Sequence, residues 1–523
     1  MKFFYLLSFL FFAVQVLAGG TESPPKKDSV ALQFSQYVNA ADLSKHLHVL
    51  ASDEFEGRET GEPGQKKAAA YISDHFKQLG FKPSETGTYY QHFPLIKWLP
   101  EGLSMATRNR NYNLFEDFYY FFRDTNQYTI EANQIAFRGY GIDTNTWNDY
   151  AEEDLSGQIV MVLAGEPYSK DGTSYVSNSI EASDWFYQTH RKAEAASKRN
   201  AKALLVVSPD FNRNMGRLRQ WLSRPSMGLA SDLKEKKFPV LYISESMADE
   251  LLKTNKRSIA KLRKKMEKKG VPLSEDLEIE FKINHQRKFE NVISENVLGF
   301  LEGSDLKDQV LVITAHYDHI GRKGDDINNG ADDDGSGTVA VLELAEAFMK
   351  AAQSGHGPRR SILFMTVAGE EKGLLGSRYY SDHPVYPLEN TIADLNIDMV
   401  GRIDPKHDNG DYIYIIGSDR LSTELHQISE NANSTYVGID LDYTYNREDD
   451  PERFYYRSDH YNFARHNIPV IFYFSGTHED YHRPTDTVEK IQFDKLEVIA
   501  KLVFFTAWEL ANRDGRIVVD VNQ

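Results

Sequence analysis

Two histidines and a glutamate near the carboxyl end of the chain have the spacing of a zinc-binding motif. His478, Glu479 and His482 form His-Glu-x-x-His within IFYFSGTHEDYHRPTDT. On a helix, this spacing puts both imidazoles on one face, with the glutamate as general base. The segment does not favour a helix, because the strand-like run VIFYF precedes it and Pro484 restricts the residue before it. His482 alone is therefore the predicted zinc ligand, His478 is predicted to lie in a loop beside the site, and Glu479 is not the predicted base.

Four further groups of possible metal ligands follow predicted strands or precede a helix. They are His316 and Asp318 after VLVITA, Asp332, Asp333 and Asp334 before GTVAVLELAEAF, Glu370 and Glu371 after ILFMTVAG, and Asp398 after TIADLNI. In an open α/β sheet, ligands bind beyond the carboxyl ends of the strands. Each group alone is weak evidence, but together with His482 they predict one metal site on one edge of a sheet. Imidazoles and carboxylates without thiolates suit zinc, with manganese or cobalt as possible substitutes.

The chemistry that such a set supports is hydrolysis of an amide. A carboxylate that is shared by two metal ions would bring them close enough to hold one water, lower its pKa and polarise a carbonyl. A further glutamate that is not a ligand would take the proton of the water and pass it to the leaving amine. The residue types are therefore compatible with a pair of zinc ions and a glutamate base.

The elements that must position these residues predict an α/β fold. From residue 284 onward, continuous apolar strands alternate with helices, which indicates a mostly parallel mixed sheet flanked by helices. Residues 126–283 have strands and helices of their own and are predicted to form an inserted, smaller α/β domain. The main domain is then predicted to comprise residues 30–125 and 284–515, and its first helix lies in GEPGQKKAAAYISDHFKQLGF.

The composition excludes several classes of function. The formal net charge of −17 argues against nucleic acid as a partner, because nucleic-acid binders usually present a basic face. The chain has no cysteine, which excludes disulfides, thiolate zinc sites and a cysteine nucleophile. Hydrophobic residues make up 41% and charged residues 26%, as is typical of a soluble globular protein.

The amino-terminal segment MKFFYLLSFLFFAVQVLAGG has the pattern of a secretory signal. A positive start, a short apolar core and a small-residue cleavage site predict a signal peptide at residues 1–18, with an uncleaved membrane anchor as the alternative. The following residues 19–29 are predicted to be a disordered linker. The protein is thus expected to be exported to the periplasm or the medium, without the cysteine that a lipoprotein requires and without a stable membrane span in its mature form.

Six motifs, taken in order, resemble the secreted bacterial di-zinc aminopeptidase family. They are HYDHIG, NNGADDDGSG, AGEEKGLLGS, NIDMVGR, RSDHYNFA and YHRPTDT. The resemblance covers about residues 285–515 and the helix near 63–80, which GRETG precedes. The family also contains glutamate carboxypeptidases and the one-metal glutaminyl cyclases. The block 126–283 more loosely resembles the protease-associated domain that some members of the family insert.

The resemblance implies a role for each predicted metal ligand. His316 and Asp398 would bind one metal, and Glu371 and His482 would bind the other. Asp333 would bridge both metals. The family implied by these motifs therefore leads to the same pair of zinc ions that the residue types suggest.

The resemblance also implies the residues that act beside the metals. Glu370 would be the general acid and base, and Asp318 would orient His316 from behind. A tyrosine hydroxyl near the developing oxyanion would come from Tyr455 or Tyr481. A cis peptide bond is implied directly after Asp333.

The expected activity is that of an exported zinc exopeptidase acting on peptides, and specifically of an aminopeptidase that removes amino-terminal residues. Three alternatives stay open: a carboxypeptidase of the same family, a glutaminyl cyclase, and a non-catalytic peptide-binding member. The motif AGEEKGLLGS resembles the peptidases more than the cyclases. Basic residues near the motifs, Arg402, Arg457 and Arg483, leave a carboxypeptidase possible.

Overall fold

A computed structural model describes residues 27–84, 86–100, 102–121, 125–151, 153–233 and 238–521. The predicted signal peptide lies outside these residues, as does most of the predicted linker. At the end of that linker, the Asp28 side chain accepts a hydrogen bond of 2.8 Å from the backbone N–H of Val30 and caps a helix that begins at Ser29. Within the described ranges, no helix is both long and apolar enough to cross a membrane.

The described residues form nineteen strands and thirteen α-helices, each numbered in chain order. The strands are β1 Tyr90–Trp98, β2 Leu103–Thr107, β3 Arg110–Tyr112, β4 Phe118–Tyr120, β5 Tyr128–Arg138, β6 Ile159–Leu163, β7 Ala203–Ser208, β8 Ser226–Leu229, β9 Val240–Ser244, β10 Ser274–His285, β11 Phe289–Leu301, β12 Leu306–His316, β13 Arg322–Lys323, β14 Asp326–Ile327, β15 Arg360–Val367, β16 Thr391–Ile397, β17 Tyr412–Ile416, β18 Asp440–Asp442 and β19 Val470–Phe474. The helices are α1 Ser29–Phe34, α2 Ala40–Leu50, α3 Pro63–Leu79, α4 Asp184–Tyr187, α5 Thr189–Ser197, α6 Phe211–Leu222, α7 Glu245–Leu252, α8 Ile259–Lys269, α9 Gly337–Gln353, α10 Leu375–Asp382, α11 Thr423–Ala432, α12 His460–Ala464 and α13 Phe493–Asn512.

The first sheet has nine strands in the order β18-β17-β19-β16-β12-β15-β11-β1-β8. Its centre, from β19 through β16 and β12 to β15, is parallel, and β17 pairs in parallel with β18. The other four pairings, at β17–β19 and from β15 outward to β8, are antiparallel. The central strands are almost wholly buried, because helices cover both faces. The prediction of an α/β fold on a mixed sheet flanked by helices is confirmed, with parallel pairing in half of its eight pairings.

Helices with clear apolar stripes cover this sheet. Helix α3 begins with Pro63, ends at Gly80 in the left-handed conformation, and buries Ile72 and Phe76. On α9, the residues predicted to share a face, among them Leu344 and Phe348, are buried in the same core. On the opposite face of the sheet, α10 and α12 pack against each other and against strands β11 and β19.

A second sheet of eight strands has the order β3-β2-β10-β5-β6-β7-β9-β4 and a hydrophobic core of its own. Strands β2, β3 and β4 precede residue 126, and β8 leaves the inserted block to pair with β1 at the edge of the first sheet. The predicted division of the chain at residues 126 and 283 stays a prediction. The strands show that the second sheet draws on residues from 103 to 285.

A buried arginine in the GRETG segment joins the parts of the chain that surround the predicted site. Arg58 is fully buried, and its guanidinium donates four hydrogen bonds to backbone carbonyls. The acceptors are Tyr317 at 2.8 Å, Leu50 at 2.8 Å, Asn329 at 2.7 Å and Gly330 at 2.9 Å. The end of β12, the end of α2 and the loop that leads to Asp333 are therefore fixed to one planar group.

We expect Arg58→Met to destabilise the folded protein by about 3 kcal/mol or more, because it leaves several buried carbonyls without donors. The measurement is the denaturant midpoint of unfolding with zinc in excess. Arg322→Met is the matched control, since Arg322 lies in the neighbouring loop with half of its side chain exposed. Equal midpoints for the two variants would show that Arg58 does not have this structural role.

Candidate metal centre and active site

The predicted ligands meet at the carboxyl ends of the central parallel strands. His316 is the last residue of β12, Asp398 directly follows β16, and Glu370 and Glu371 come after β15. His482 lies in the segment after β19. Because these strands are parallel, their carboxyl ends share one edge of the sheet, as the sequence predicts.

One group of ligand atoms, here called site one, consists of His316 Nε2, Asp333 Oδ1 and Asp398 Oδ1. His316 Nε2 lies 3.3 Å from the Asp333 oxygen and 3.6 Å from the Asp398 oxygen. His316 Nδ1 donates a hydrogen bond of 3.0 Å to the backbone carbonyl of Asp318, which leaves Nε2 as the nitrogen that can bind a metal.

The contact between Asp318 and His316 differs from the one predicted. The orienting acceptor is the main-chain carbonyl of Asp318, while its carboxylate lies 3.8 Å from His316 Nδ1. That carboxylate accepts hydrogen bonds from the Thr60 hydroxyl at 2.6 Å and from the backbone N–H of Glu370 at 3.2 Å. Asp318 thus links GRETG to the start of the Glu370 turn, which the sequence did not reveal.

A second group of ligand atoms, here called site two, lies on the other side of Asp333. His482 Nε2 is 3.1 Å from Asp333 Oδ2 and 3.1 Å from Glu371 Oε2. His319 Nδ1 is 2.9 Å from Glu371 Oε1 and 3.6 Å from Asp333 Oδ2. Asp333 therefore presents one oxygen to each group. Sequence reasoning gave His319 no role, although it stands in the motif HYDHIG, three residues after His316.

The three consecutive aspartates have different environments. Asp334 lies within 4.8 Å of His316 and Asp398, but both of its oxygens accept hydrogen bonds from backbone N–H groups. One of these bonds comes from Gly337, the first residue of α9. The peptide bond between Asp333 and Asp334 is cis, as the resemblance implies. Asp333 is thus the aspartate that faces both groups of ligands.

The residues at site two fit a metal ion. Asp333 Oδ2, Glu371 Oε1 and both ring nitrogens of His319 are buried, and none makes a hydrogen bond to a described residue. Buried polar atoms are rarely left without partners in folded proteins, and an exception calls for an explanation. Nitrogen and oxygen ligands from histidine and carboxylate are those that zinc accepts. A cation bound among these atoms accounts for their arrangement.

The electrostatics also favour a cation at this position. Burial lowers the pKa of His482, but the adjacent carboxylates of Asp333 and Glu371 outweigh burial and raise that pKa to about 10. The carboxylates therefore stabilise positive charge beside them, and a divalent metal supplies more of it than a proton.

Glu370 is placed beside site one without being part of it. Its Oε2 lies 3.9 Å from His316 Nε2, and 13% of its side chain is exposed. Burial raises the pKa of the Glu370 carboxyl well above its usual range. His316 lowers this pKa, whereas the negative charges of Glu371 and Asp398 raise it further. Such a carboxyl can both take and return a proton near neutral pH.

A cleft opens on site one. The described residues that line it are His316, Asp333, Glu370, Asp398, Met399, Phe454, Arg457, Phe472, Phe474, Thr477 and Tyr481. The polar end of the cleft carries the ligand atoms and Glu370, and the rest of it is largely aromatic. A peptide end with an apolar side chain would match this division.

The two predicted tyrosines are placed differently. Tyr481 lines the cleft, its ring stacks on His482 with centroids 3.9 Å apart, and burial raises its pKa, so its hydroxyl stays protonated. Tyr455 is not among the described residues that line the cleft. It is buried under Arg420, whose guanidinium carbon lies 4.3 Å from the ring centroid.

The segment that carries His482 forms turns, not a helix. His478 Nε2 lies 3.2 Å from Asp332 Oδ2, so His478 contacts the neighbour of Asp333 and belongs to neither group of ligands. The Asp486 carboxylate accepts hydrogen bonds from the backbone N–H groups of Asp332 at 3.0 Å and Asp333 at 3.2 Å. These contacts join the two loops that supply site two.

Ser458 is another residue that the sequence reasoning missed. Its hydroxyl donates a hydrogen bond of 2.7 Å to Asp398 Oδ2 and accepts one of 2.8 Å from the Asn396 amide. This fixes one oxygen of Asp398 and directs the other toward His316. The only signal in the sequence was its place in the motif RSDHYNFA.

Part of the chain is similar to known proteins. The family model described as Peptidase family M28 matches residues 296–507. The aminopeptidase YwaD of Bacillus subtilis (strain 168) is 28% identical over 256 residues, which cover 47% of this chain and 50% of the relative. A probable leucine aminopeptidase of Arthroderma otae (strain ATCC MYA-4605 / CBS 113480) is 31% identical over 211 residues, which cover 39% of this chain and 55% of the relative. The chain thus spans about half the length of these curated relatives.

A solved structure has the same fold along nearly the whole chain. The aminopeptidase from Aneurinibacillus sp. strain AM-1 aligns with a TM-score of 0.53 at 20% sequence identity, covering 94% of this chain and 98% of that one. All residues of site one and site two, and Glu370, fall within the segment that the family model matches. Within that segment, the chain is similar to peptidase family M28.

Proposed function

We propose that this protein is a zinc-dependent exopeptidase, and specifically an aminopeptidase that acts with two metal ions. The observation that carries the proposal is the placement of Asp333, whose two oxygens face two separate groups of ligands beside Glu370. Metal ions bound by these groups would act as Lewis acids and make water a nucleophile at neutral pH. The names of the relatives, two aminopeptidases among them, support the same activity.

The chain's own residues supply proton transfer and orientation. Glu370 is positioned to take the proton of the attacking water and to deliver it to the leaving nitrogen, because its carboxyl adjoins site one and its pKa is raised. The protonated hydroxyl of Tyr481 is available as a hydrogen-bond donor to an oxyanion in the cleft. The aromatic walls around Phe472 and Phe474 exclude water and suit an apolar terminal residue.

The excess of carboxylates favours the amino end of a peptide. Asp333, Glu370 and Asp398 all line the cleft, and a substrate ammonium would be attracted there.

One observation supports a carboxypeptidase as the second candidate. Arg457 also lines the cleft, with its guanidinium carbon 4.5 Å from the Phe454 ring centroid, and a basic side chain there suits a substrate carboxylate.

We further propose that the protein works outside the cytoplasm. This proposal rests on the signal-like pattern of residues 1–18 in the sequence. The amino-terminal sequence of the protein recovered from the source cells, together with the fraction in which it is found, tests it.

Replacing Glu370 with glutamine should lower kcat about 100-fold to 10,000-fold on an aminoacyl p-nitroanilide, because the amide cannot accept the proton. The bound metal should stay at the wild-type level by elemental analysis. Glu479→Gln is the matched control, since Glu479 belongs to the His-Glu-x-x-His pattern and most of its side chain is exposed. Wild-type turnover by Glu370→Gln would rule out the role proposed for Glu370.

A free amino terminus should be required for cleavage. Acetylating the amino end of a peptide removes the ammonium charge, and we expect kcat/KM to fall about 100-fold or more. The measurement compares Leu-peptides with their N-acetyl forms and identifies the released residue by mass spectrometry. If the acetylated peptides are cleaved at the same rate with release of the carboxyl-terminal residue, the protein is a carboxypeptidase instead.

A further inference from the structure

His319 lies at site two, although neither the sequence nor the resemblance gave it a role. It follows β12 by three residues and is fully buried. Its Nδ1 is directed at Glu371 Oε1, 2.9 Å away, and at Asp333 Oδ2, 3.6 Å away. The ring of His482 approaches the same carboxylates from another direction, with the two imidazole centroids 5.8 Å apart and inclined at 67°.

The short contact between His319 and Glu371 is not a hydrogen bond. Neither ring nitrogen of His319 makes a hydrogen bond to a described residue, and the same holds for Glu371 Oε1 and Asp333 Oδ2. A histidine that served only to orient Glu371 would donate its N–H to that carboxylate in good geometry. Ligand atoms of His319, Asp333 and Glu371 instead lie within 4.8 Å of one another, which is close enough for one metal ion to contact all three residues.

The separations between the ligand atoms are near, and in three of four cases slightly shorter than, those around a tetrahedral zinc ion. Zinc bonds of about 2.0–2.2 Å to nitrogen and oxygen place the ligand atoms of a tetrahedron about 3.3–3.6 Å from one another. Around site two, the separations are 2.9 and 3.6 Å from His319 Nδ1 and 3.1 and 3.1 Å from His482 Nε2. His319 thus forms one group of mutually close ligand atoms with Asp333 and Glu371, and His482 Nε2 contacts the same two carboxylates from a different side.

We propose that His319 is a fourth protein ligand of the metal at site two, together with Asp333, Glu371 and His482. Site two is then closed by protein, whereas site one has the three ligands His316, Asp333 and Asp398 and an open position. This inference refines the metal centre of the proposed function, but it concerns binding alone and does not depend on which peptide end is cleaved.

The cleft gives independent support for this difference between the sites. The described residues that line it include all three residues of site one and Glu370, whereas of site two's other ligands His319 is fully buried, Glu371 is nearly so, and His482 keeps 37% of its side chain exposed outside the cleft. Structural zinc sites are closed by four protein ligands, whereas catalytic sites keep one position for water or substrate. Substrate would thus meet the metal of site one, and the metal of site two would chiefly hold Asp333 in place.

The loop before Asp333 is built to admit the His319 ring. Gly330 has a positive φ of 54°, and a Cβ atom there would lie 2.5 Å from His319 Cγ and 2.3 Å from the backbone oxygen of Asp333. Arg58 holds the same glycine through its carbonyl oxygen at 2.9 Å. The His319 imidazole therefore fits against this turn only because residue 330 is a glycine.

The direct test is a crystal structure of the zinc-loaded wild-type protein, with anomalous diffraction measured at the zinc edge. We expect an anomalous peak within about 2.2 Å of His319 Nδ1. A zinc ion bound by Asp333, Glu371 and His482 with His319 Nδ1 more than about 3 Å away would overturn the proposal. This test does not require any variant to fold.

The second test is a zinc titration of the metal-free protein against a competing chelator. His319→Ala should weaken one of two binding events by more than 100-fold, because losing a residue that only orients a ligand costs about 10-fold to 100-fold. His478→Ala is the matched control, since His478 is a buried histidine of the same loops that contacts Asp332, and it should lose less. Circular dichroism verifies that each variant is folded.

Each outcome of the titration decides the proposal. Loss of one event in His319→Ala alone supports it, whereas weakening by 100-fold or less would make His319 an orienting residue and refute it. Equal loss in His319→Ala and His478→Ala would also refute it. Both tests measure metal binding only, so they remain decisive even if the protein cleaves no peptide.

Discussion

The site depends on one constraint, which is the confinement of several carboxylates in a space that water barely reaches. Asp333, Glu370, Glu371 and Asp398 lie around two histidines at the carboxyl ends of the central strands. Charges of the same sign that are buried together raise one another's pKa, unless a cation compensates for them. The raised pKa values of Glu370 and His482 are two expressions of this constraint. The sheet, the buried arginine and the loop contacts together hold the carboxylates close despite their repulsion.

Main-chain groups distinguish the carboxylates that bind from those that support. The oxygens of Asp334 accept backbone N–H groups, and Asp486 and Asp318 are hydrogen-bonded to the backbone of neighbouring loops. Asp333 Oδ2 lies beside them but makes no hydrogen bond to a described residue. Backbone N–H groups therefore bind the supporting aspartates and leave this ligand oxygen free to face the metal site. Such an arrangement preorganises a metal centre.

The sequence predicts the edge of the sheet and most of the ligand residues. The reason is that a polar residue directly after a parallel strand lies at the carboxyl end of the sheet, where ligands bind. It does not predict loop contacts. His319 and Ser458 stand within quoted motifs, yet their roles depend on how loops fold back, and no periodicity describes that. The orienting contact of Asp318 comes from its main chain, which a side-chain pattern cannot show. His478 and His482 show the opposite case. Their spacing of four residues would bring them together on a helix, but in a segment of turns it does not.

The asymmetry of the two sites follows from where each ligand lies in the chain. Site one takes its histidine and Asp398 directly from the ends of two adjacent strands, β12 and β16, so it is rigid and faces the cleft beyond the sheet. Site two takes His319 and His482 from loops, which can wrap around a metal and close it off. Asp333 belongs to both, and any strain or displacement at the closed site is transmitted through its carboxylate to the open one. A metal held by the loops of site two would thus help to set the position of the Asp333 carboxylate, whose other oxygen belongs to site one.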